Sequence, residues 1–176
     1  MTQGGAAFYT ATTRDVVIAI LAKDKALYLP LYLKCLESQT WPKSRTHLYV
    51  RSNDNNDDTI AVLKRWLERV GAEYASVHED YTPIDARLSQ YAEHEWNAHR
   101  FGVLGRIRQA SVDYASQLGC HYLVVDCDNF IQPNVVETLV RLVEGGFPVV
   151  GPLLPTETDR YANFYVEADE HGYFKE

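Results

Sequence analysis

Two aspartates one residue apart, Asp126 and Asp128, are the side chains in this sequence best placed to do chemistry. They directly follow residues 122–125, an uncharged run that predicts a strand buried on both faces, in the interior of a sheet. Ligands of open α/β sheets bind at the carboxyl ends of the strands, so an acidic pair there is placed to hold a divalent cation against a diphosphate. The alternative is that either aspartate only caps a turn, and the tripeptide alone favours that interpretation.

The elements that must position this pair alternate along the chain. Apolar, β-branched runs predict strands, at residues 15–22, 47–51, 73–78, 122–125 and 148–154, with a last pair at 161–166 and 173–174. Apolar side chains at helical spacing predict helices, at residues 30–37, 60–70, 103–118 and 134–143. Residues 79–97 show no period and are predicted to form a long ordered loop. The alternation predicts an α/β fold, Rossmann-like, with a mainly parallel sheet and helices on both faces.

Polar loops are predicted beside the acidic pair at the same edge of the sheet. Lys23-Asp-Lys25 follows the first predicted strand, and seven small polar or acidic residues, 52–58, follow the second. Asp57 or Asp58 can cap the next helix, or the run can receive a nucleotide base. Arg106, at the edge of an apolar helix face, can reach a diphosphate or extend into solvent, which is the commoner behaviour.

Composition narrows the classes of function. A net charge of −7 makes a broad nucleic-acid surface improbable, so an anionic ligand must be met locally by a metal, by helix N-termini or by a few of the 17 Lys and Arg residues. The 176 residues predict one domain at 15–176, after a flexible tail at 1–14. Three cysteines suit free thiols. No signal peptide or membrane span is recognisable, so a soluble protein is expected, in the cytoplasm rather than secreted.

Sequence motifs exclude two nucleotide-binding classes and indicate a third. Neither Gly-x-Gly-x-x-Gly nor a Gly-Lys-Ser/Thr loop is present, which argues against dehydrogenases and P-loop enzymes. Leu36-Glu-Ser-Gln-Thr-Trp-Pro42, the Asp/Asn run and the later Asp-x-Asp resemble the nucleotide-sugar half of family 2 glycosyltransferases, which have the GT-A fold. The sequence more closely resembles the family 2-like domain of procollagen galactosyltransferases, in glycosyltransferase family 25, at residues 17–22, 33–37, 107–110, 128–129, 148–150, 161–164 and 172–173.

This resemblance implies where a nucleotide sugar binds. It implies that Ala22 and Lys23 border the nucleotide pocket and that Ser52, Asn53 and Asp54 face the uracil and ribose. Family 2 enzymes usually carry an acidic pair where this chain has Ser52-Asn53, so base recognition here departs from that pattern.

The resemblance also implies roles around the acidic pair. Asp126 approaches the ribose or the metal, and Asp128 ligates Mn²⁺ or Mg²⁺. Arg106 is a further candidate for the nucleotide-sugar site because of its place on the helix face, and not because of the resemblance. Cys127 is expected to point away from the metal, because neighbouring side chains of extended backbone face opposite ways. No catalytic residue is assigned, since the late carboxylates Asp159, Glu167 and Asp169 suit surface positions equally well, and the acceptor part of the fold is expected to be short or missing.

Three functions follow from these features. The leading hypothesis is a metal-dependent glycosyltransferase that moves galactose or glucose from a UDP-sugar to an acceptor hydroxyl of a glycan or peptide. The alternative is a truncated or non-catalytic transferase-like domain that binds a sugar nucleotide. A nucleotidyltransferase ranks last, because Lys23-Asp-Lys25 lacks the glycines that its loop usually needs.

Overall fold

A computed structural model describes residues 13–84, 91 and 97–152. The chain comprises two compact units, residues 1–140 and 141–176, and the sheet lies in the first. Four strands in the order β3-β2-β1-β4, all paired in parallel, form this sheet: β1 (Val16–Ala22), β2 (Thr46–Ser52), β3 (Ser76–Asp80) and β4 (His121–Val124). The predicted parallel α/β architecture is confirmed. The predicted tail boundary at residue 14 stays a prediction, and residues 1–12 lie outside the described residues.

Alternate side chains of β1 pack into cores on the two faces of the sheet. Val16, Ile18 and Ile20 belong to one apolar cluster, whereas Val17 and Ala19 belong to another. Such a strand, almost wholly buried, is what a continuous run of Val, Ile, Leu and Ala produces between two helical layers. The first cluster contains side chains of three helices, α1 (Leu29–Glu37), α2 (Thr59–Val70) and α4 (Val135–Glu144), and the second contains Ala115 of α3 (Ala98–Leu118).

Local sequence signals explain where the helices begin and end. Pro30 lies in the first turn of α1, where its missing N–H leaves no hydrogen bond unmade. Asn97 caps α3 by accepting a hydrogen bond from the backbone N–H of Arg100, and Gly119 ends the helix in a left-handed conformation, φ 64°. None of the helices in the described ranges is long and apolar enough to cross a membrane.

Two predicted elements differ from the structure in position or burial. The third strand occupies Ser76–Asp80 instead of 73–78, because Gly71–Glu73 form a short 3-10 turn before it. β4 is half-buried, so the prediction of a strand buried on both faces is wrong. Within the described residues it lies at the edge of the sheet, and its predicted interior position stays a prediction because the strands predicted at 161–166 and 173–174 lie outside those residues. Tyr122 and Val124 pack against the cluster that contains Ala115, Leu123 packs against the cluster on the other face, and within the described residues β1 is the one strand partner of β4.

Two further parts of the chain, α3 and residues 148–152, differ from the sequence-based prediction. The helix α3 begins at Ala98, and Leu104 and Leu118 of its predicted apolar face are 37% and 44% exposed. Residues 148–149 form a bend and residues 150–152 have no regular structure, where a buried strand was predicted, and Val149 is 89% exposed. Other predictions lie outside the described residues, at 85–90 and 92–96 of the long loop, 153–154, and the strands at 161–166 and 173–174.

Candidate functional site

The four parallel strands end at the same edge of the sheet, and polar segments follow β1, β2 and β4 there. Ala22 and Ser52, the last residues of β1 and β2, are partners in the strand register. Lys23 then donates a hydrogen bond from Nζ to the backbone oxygen of Asp54, at 2.8 Å. The structure therefore brings together the residues predicted to border the nucleotide pocket on these two strands.

Asp24 ties the loop after β1 to the loop after β2. Its carboxylate accepts hydrogen bonds from Lys23 Nζ at 2.6 Å and from the backbone N–H of Asn56 at 2.5 Å, and its own N–H donates to Asn55 Oδ1 at 2.8 Å. Burial raises the pKa of Asp24, but the hydrogen bonds from Lys23 and Asn56 outweigh burial and leave the pKa below its usual value. Asp24 has a positive φ of 51°, a conformation that aspartate tolerates better than most residues.

Asp57 makes a second connection between the same loops. Its Oδ2 accepts from the N–H of Ala26 at 2.9 Å, and its Oδ1 accepts from the N–H of Thr59 at 3.0 Å, at the start of α2. The N–H of Lys25 donates to Thr59 Oγ1 at 2.7 Å, and Thr59 is fully buried. Asp57 thus caps α2, whereas Asp58 at the N-cap position makes no side-chain capping bond. The polar run is a cap and also a rigid link to the first loop.

The predicted base-binding residues differ in their exposure. Ser52 and Asn53 are buried, and the Ser52 hydroxyl accepts from Asn55 Nδ2 at 2.9 Å. Asp54 is partly exposed, has a φ of 50°, and accepts the N–H of Ile84 at 3.1 Å through Oδ2. In this arrangement Ser52 and Asn53 shape the loop, and Asp54 joins it to the chain beyond β3. Contact of these three residues with uracil or ribose stays a prediction.

Arg51 was not among the residues that the sequence indicated. It is 5% exposed, and its guanidinium donates to the backbone oxygen of Asp80 at 2.9 Å, to Asp80 Oδ1 at 3.0 Å and to the backbone oxygen of Thr82 at 2.6 Å. These bonds hold the end of β3, and the residues after it, against the end of β2. A charged residue at the end of an apolar strand was the signal that could have indicated this role.

The acidic pair lies beyond the end of β4, with its two carboxylates outward and the cysteine between them inward. The side chains of Asp126 and Asp128 are 62% and 45% exposed, whereas Cys127 is 1% exposed and its thiol donates to the backbone oxygen of Leu21 at 3.7 Å. Burial, with a smaller contribution from Asp126, raises the pKa of the Cys127 thiol to about 12, so the thiol is neutral. The buried cysteine fixes the backbone between two accessible carboxylates.

Each carboxylate of the pair contacts a side-chain cation that the sequence did not single out. Lys25 Nζ lies 2.7 Å from Asp128 Oδ2, and Arg108 Nη2 lies 3.3 Å from Asp126 Oδ1. The hydrogen bond to Asp128 is the main reason that the pKa of Lys25 is raised. Arg106 has an exposed position on α3, and it is Arg108, two residues further on, that reaches the acidic pair. The site role predicted for Arg106 stays a prediction.

The donor atoms present fit a divalent cation that is shared with a bound phosphate. Within residues 13–84, 91 and 97–152, no group of three or more His, Cys, Asp or Glu side chains could enclose a metal ion. Asp126 and Asp128 nevertheless offer exposed carboxylate oxygens, which Mg²⁺ and Mn²⁺ prefer, and Mg²⁺ is often bound by one or two carboxylates together with substrate phosphates. The carboxylates Asp159, Glu167 and Asp169 lie outside the described residues.

The parallel α/β sheet of this chain has the GT-A fold, and its carboxyl edge carries the linked polar loops and the acidic pair. The structure of S. aureus TarS shares this fold, with a TM-score of 0.52 and 15% identity over 74% of this chain and 20% of TarS. Residues 13–176 match the family model described as "Glycosyltransferase family 25, N-terminal domain". The chain belongs to glycosyltransferase family 25, as its resemblance indicated.

Two relatives show how much of the family's length the chain spans. It is 34% identical over 163 residues to the Bos taurus protein named "Probable inactive glycosyltransferase 25 family member 3", covering 91% of this chain and 27% of that protein. It is 30% identical over 164 residues to Homo sapiens "Procollagen galactosyltransferase 2", covering 91% of this chain and 25% of that protein. The chain therefore spans about a quarter of the length of these curated relatives.

Proposed function

We propose that this domain binds a UDP-sugar at the carboxyl edge of its sheet and serves the transfer of galactose or glucose to an acceptor hydroxyl. The exposed Asp126 and Asp128, held on either side of buried Cys127 in a family 25 chain, are the observation that carries the proposal. Galactose and a peptide acceptor are suggested by the relative named procollagen galactosyltransferase. TarS, which shares the fold, has been solved with UDP and with UDP-GlcNAc, and a uridine nucleotide is the donor class that we propose.

The residues of the site have separate tasks in this proposal. Asp126 and Asp128 hold Mn²⁺ or Mg²⁺, and the cation, when bound, offsets the negative charge that develops on the UDP leaving group as the sugar bond breaks. Asp24 and Asp57 keep the two neighbouring loops in one conformation, so that little ordering is needed when the nucleotide binds. Lys23 supplies positive charge beside the nucleotide pocket.

A second candidate function is nucleotide-sugar binding without transfer. The observation in its favour is the names of several relatives, because the Bos taurus, Mus musculus and Homo sapiens family members 3 are all called inactive. Both functions require the same donor site. They differ in whether a bound UDP-sugar is turned over.

The site assignment is tested by calorimetric titration of UDP with and without Mn²⁺. We expect metal-dependent binding by the wild-type chain and a loss of about tenfold or more in Asp126→Asn and Asp128→Asn, which keep the shape of the side chain and remove the charge that holds a hard cation. Asp113→Asn is the matched control, because Asp113 is an exposed aspartate on α3 whose one hydrogen bond within the described ranges comes from Gln109 of the same helix, at 2.7 Å. Metal-dependent binding that persists unchanged in Asp128→Asn contradicts the assignment.

The choice between transfer and binding is tested by turnover. UDP release is measured from UDP-galactose and from UDP-glucose, with a procollagen peptide or a simple sugar as acceptor. Acceptor-dependent release that disappears in Asp128→Asn supports the transferase. Tight binding of UDP with no release from either donor supports the binding domain.

A further inference from the structure

The backbone of Lys25 is fixed while its ammonium group is accessible. The N–H of Lys25 is bonded to buried Thr59, and the N–H of the next residue is bonded to Asp57, so the loop cannot move as a unit without breaking both bonds. The Lys25 side chain is 31% exposed, and its Nζ lies 5.3 Å from the centre of the Tyr28 ring. The ammonium therefore moves only by rotation of a flexible stem about a fixed point.

This ammonium lies where the proposed function needs a different cation. Lys25 Nζ is 2.7 Å from Asp128 Oδ2, an oxygen of the carboxylate that would bind the divalent cation. Arg108 contacts the other aspartate, so the two negative charges of the acidic pair are already balanced by two positive side chains. A divalent cation on Asp128 repels the ammonium at short range, because like charges a few ångströms apart interact unfavourably even in water.

A bound diphosphate gives the displaced ammonium a new partner. Phosphates that shared a cation with Asp128 would lie near the Lys25 ammonium, because that ammonium now contacts Asp128 at 2.7 Å. Lysine is a common phosphate ligand, acting as a compact point charge on a flexible stem. Its present ion pair with Asp128 is partly exposed, and such pairs are weak enough to exchange.

We propose that Lys25 is a donor-binding residue that exchanges partners: it neutralises Asp128 in the empty site and contacts the diphosphate when metal and UDP-sugar bind. This inference rests on the proposed function and deepens it. Its consequence is that loss of the Lys25 charge has opposite effects on the two ligands. The metal alone gains affinity because a competitor is removed, and UDP loses affinity because a phosphate contact is removed.

The test uses Lys25→Met, which keeps the apolar stem, with Lys34→Met as the control on an exposed lysine of α1. Mn²⁺ alone is titrated first, and we expect Lys25→Met to bind it about two- to fivefold more tightly than wild type, the equivalent of one exposed ion pair. UDP is then titrated at saturating Mn²⁺, and we expect about tenfold weaker binding, the equivalent of one hydrogen bond to a charged group. For UMP, which lacks the second phosphate, the loss of affinity in Lys25→Met should be smaller than for UDP.

The outcomes separate this inference from the proposed function. Opposite changes for Mn²⁺ and UDP in Lys25→Met, with recovery of UDP affinity in Lys25→Arg, support the exchange. Changes of the same sign, or affinities equal to those of Lys34→Met, overturn it while leaving the UDP site in place. A wild-type chain that binds UDP neither with nor without Mn²⁺ removes the proposed function itself. Urea unfolding of each variant identifies any effect that comes from misfolding.

Discussion

Replacement of Arg51 by methionine should destabilise the domain, because Arg51 is a buried cation whose hydrogen bonds hold two strand ends together. The side chain is 5% exposed and donates three hydrogen bonds, two to Asp80 and one to the backbone of Thr82. Arg51→Met keeps most of the length and apolar contact of the stem and removes every donor. Asp80 and Thr82 then lose their connection to the end of β2.

The expected magnitude follows from the number and exposure of these bonds. Hydrogen bonds from a charged group contribute roughly 1.5 kcal/mol each at the lower limit, which gives about 4–5 kcal/mol for three. Water offsets part of this loss, because the Asp80 side chain is 33% exposed and its oxygens can be hydrated. Burial of the methionine tip in place of a guanidinium offsets a further part, about 1 kcal/mol. We therefore expect the free energy of unfolding to fall by about 2–3 kcal/mol.

Urea unfolding followed by tryptophan fluorescence measures this change, because Trp41 and Trp66 are 2% and 4% exposed and report on the unit that contains the sheet. Arg65→Met, on the exposed face of α2, is the matched control and should stay within about 0.5 kcal/mol of wild type. Arg51→Lys keeps the charge but loses the forked geometry of the guanidinium, so its free energy of unfolding should lie between those of Arg51→Met and Arg65→Met. An Arg51→Met variant as stable as Arg65→Met refutes the reasoning.

Two further predictions concern titrating groups. Cys127 is 1% exposed, and burial raises the pKa of its thiol to about 12. We therefore expect Cys127 to resist alkylation at about pH 8 in the folded protein, while the two partly exposed cysteines react. Labelling of Cys127 in the folded protein as fast as in urea contradicts this prediction. Burial raises the carboxyl pKa values of Asp24, Asp57 and Asp80, but hydrogen bonds outweigh burial and leave these pKa values below the usual value. Their stabilising effect is present above about pH 4 and is lost as pH falls through the lower folded pKa values, so the urea midpoint should drop as the pH falls below about 4. A constant midpoint contradicts that assignment.

The sequence predicted the core of the fold well because the core depends on local periodicity. Both β1 and β2 begin within one residue of the predicted positions, since each is a short apolar run bounded by charged or polar residues. The start of α3 was placed too late because residues 98–102 lack an apolar period, and the Asn97 cap was the signal available there. The burial of β4 and of residues 148–152 was overestimated, because burial depends on which neighbours cover a segment and composition does not show them.

The candidate site could be predicted in its location but not in its contacts. Strand ends in a parallel sheet meet at one edge, so Ala22, Ser52 and Asp126 could be assigned to that edge from the sequence. Hydrogen-bond partners far apart in the sequence leave no pattern in it. Asp24 and Asn56 are 32 residues apart, and Lys25 and Asp128 are 103 residues apart. Arg108, which contacts Asp126, lies about 200° around the helix axis from Arg106, and the weak apolar period of α3 does not show which of its arginines faces the acidic pair.

The ion pairs at this edge differ in exposure, and under the proposed function this difference lets an acidic chain of net charge −7 receive an anion. Arg51 is buried and forms three hydrogen bonds, so its charge is committed to the fold. The pairs Lys25–Asp128 and Arg108–Asp126 are exposed by about a third to two-thirds of each side chain, so solvent screens them and they are weak. A weak pair holds a cation beside the site at little energetic expense and releases it to a stronger partner. Under the proposed function the negatively charged phosphate oxygens are that partner, and the aspartates that contact the lysine and the arginine are those that would hold the metal.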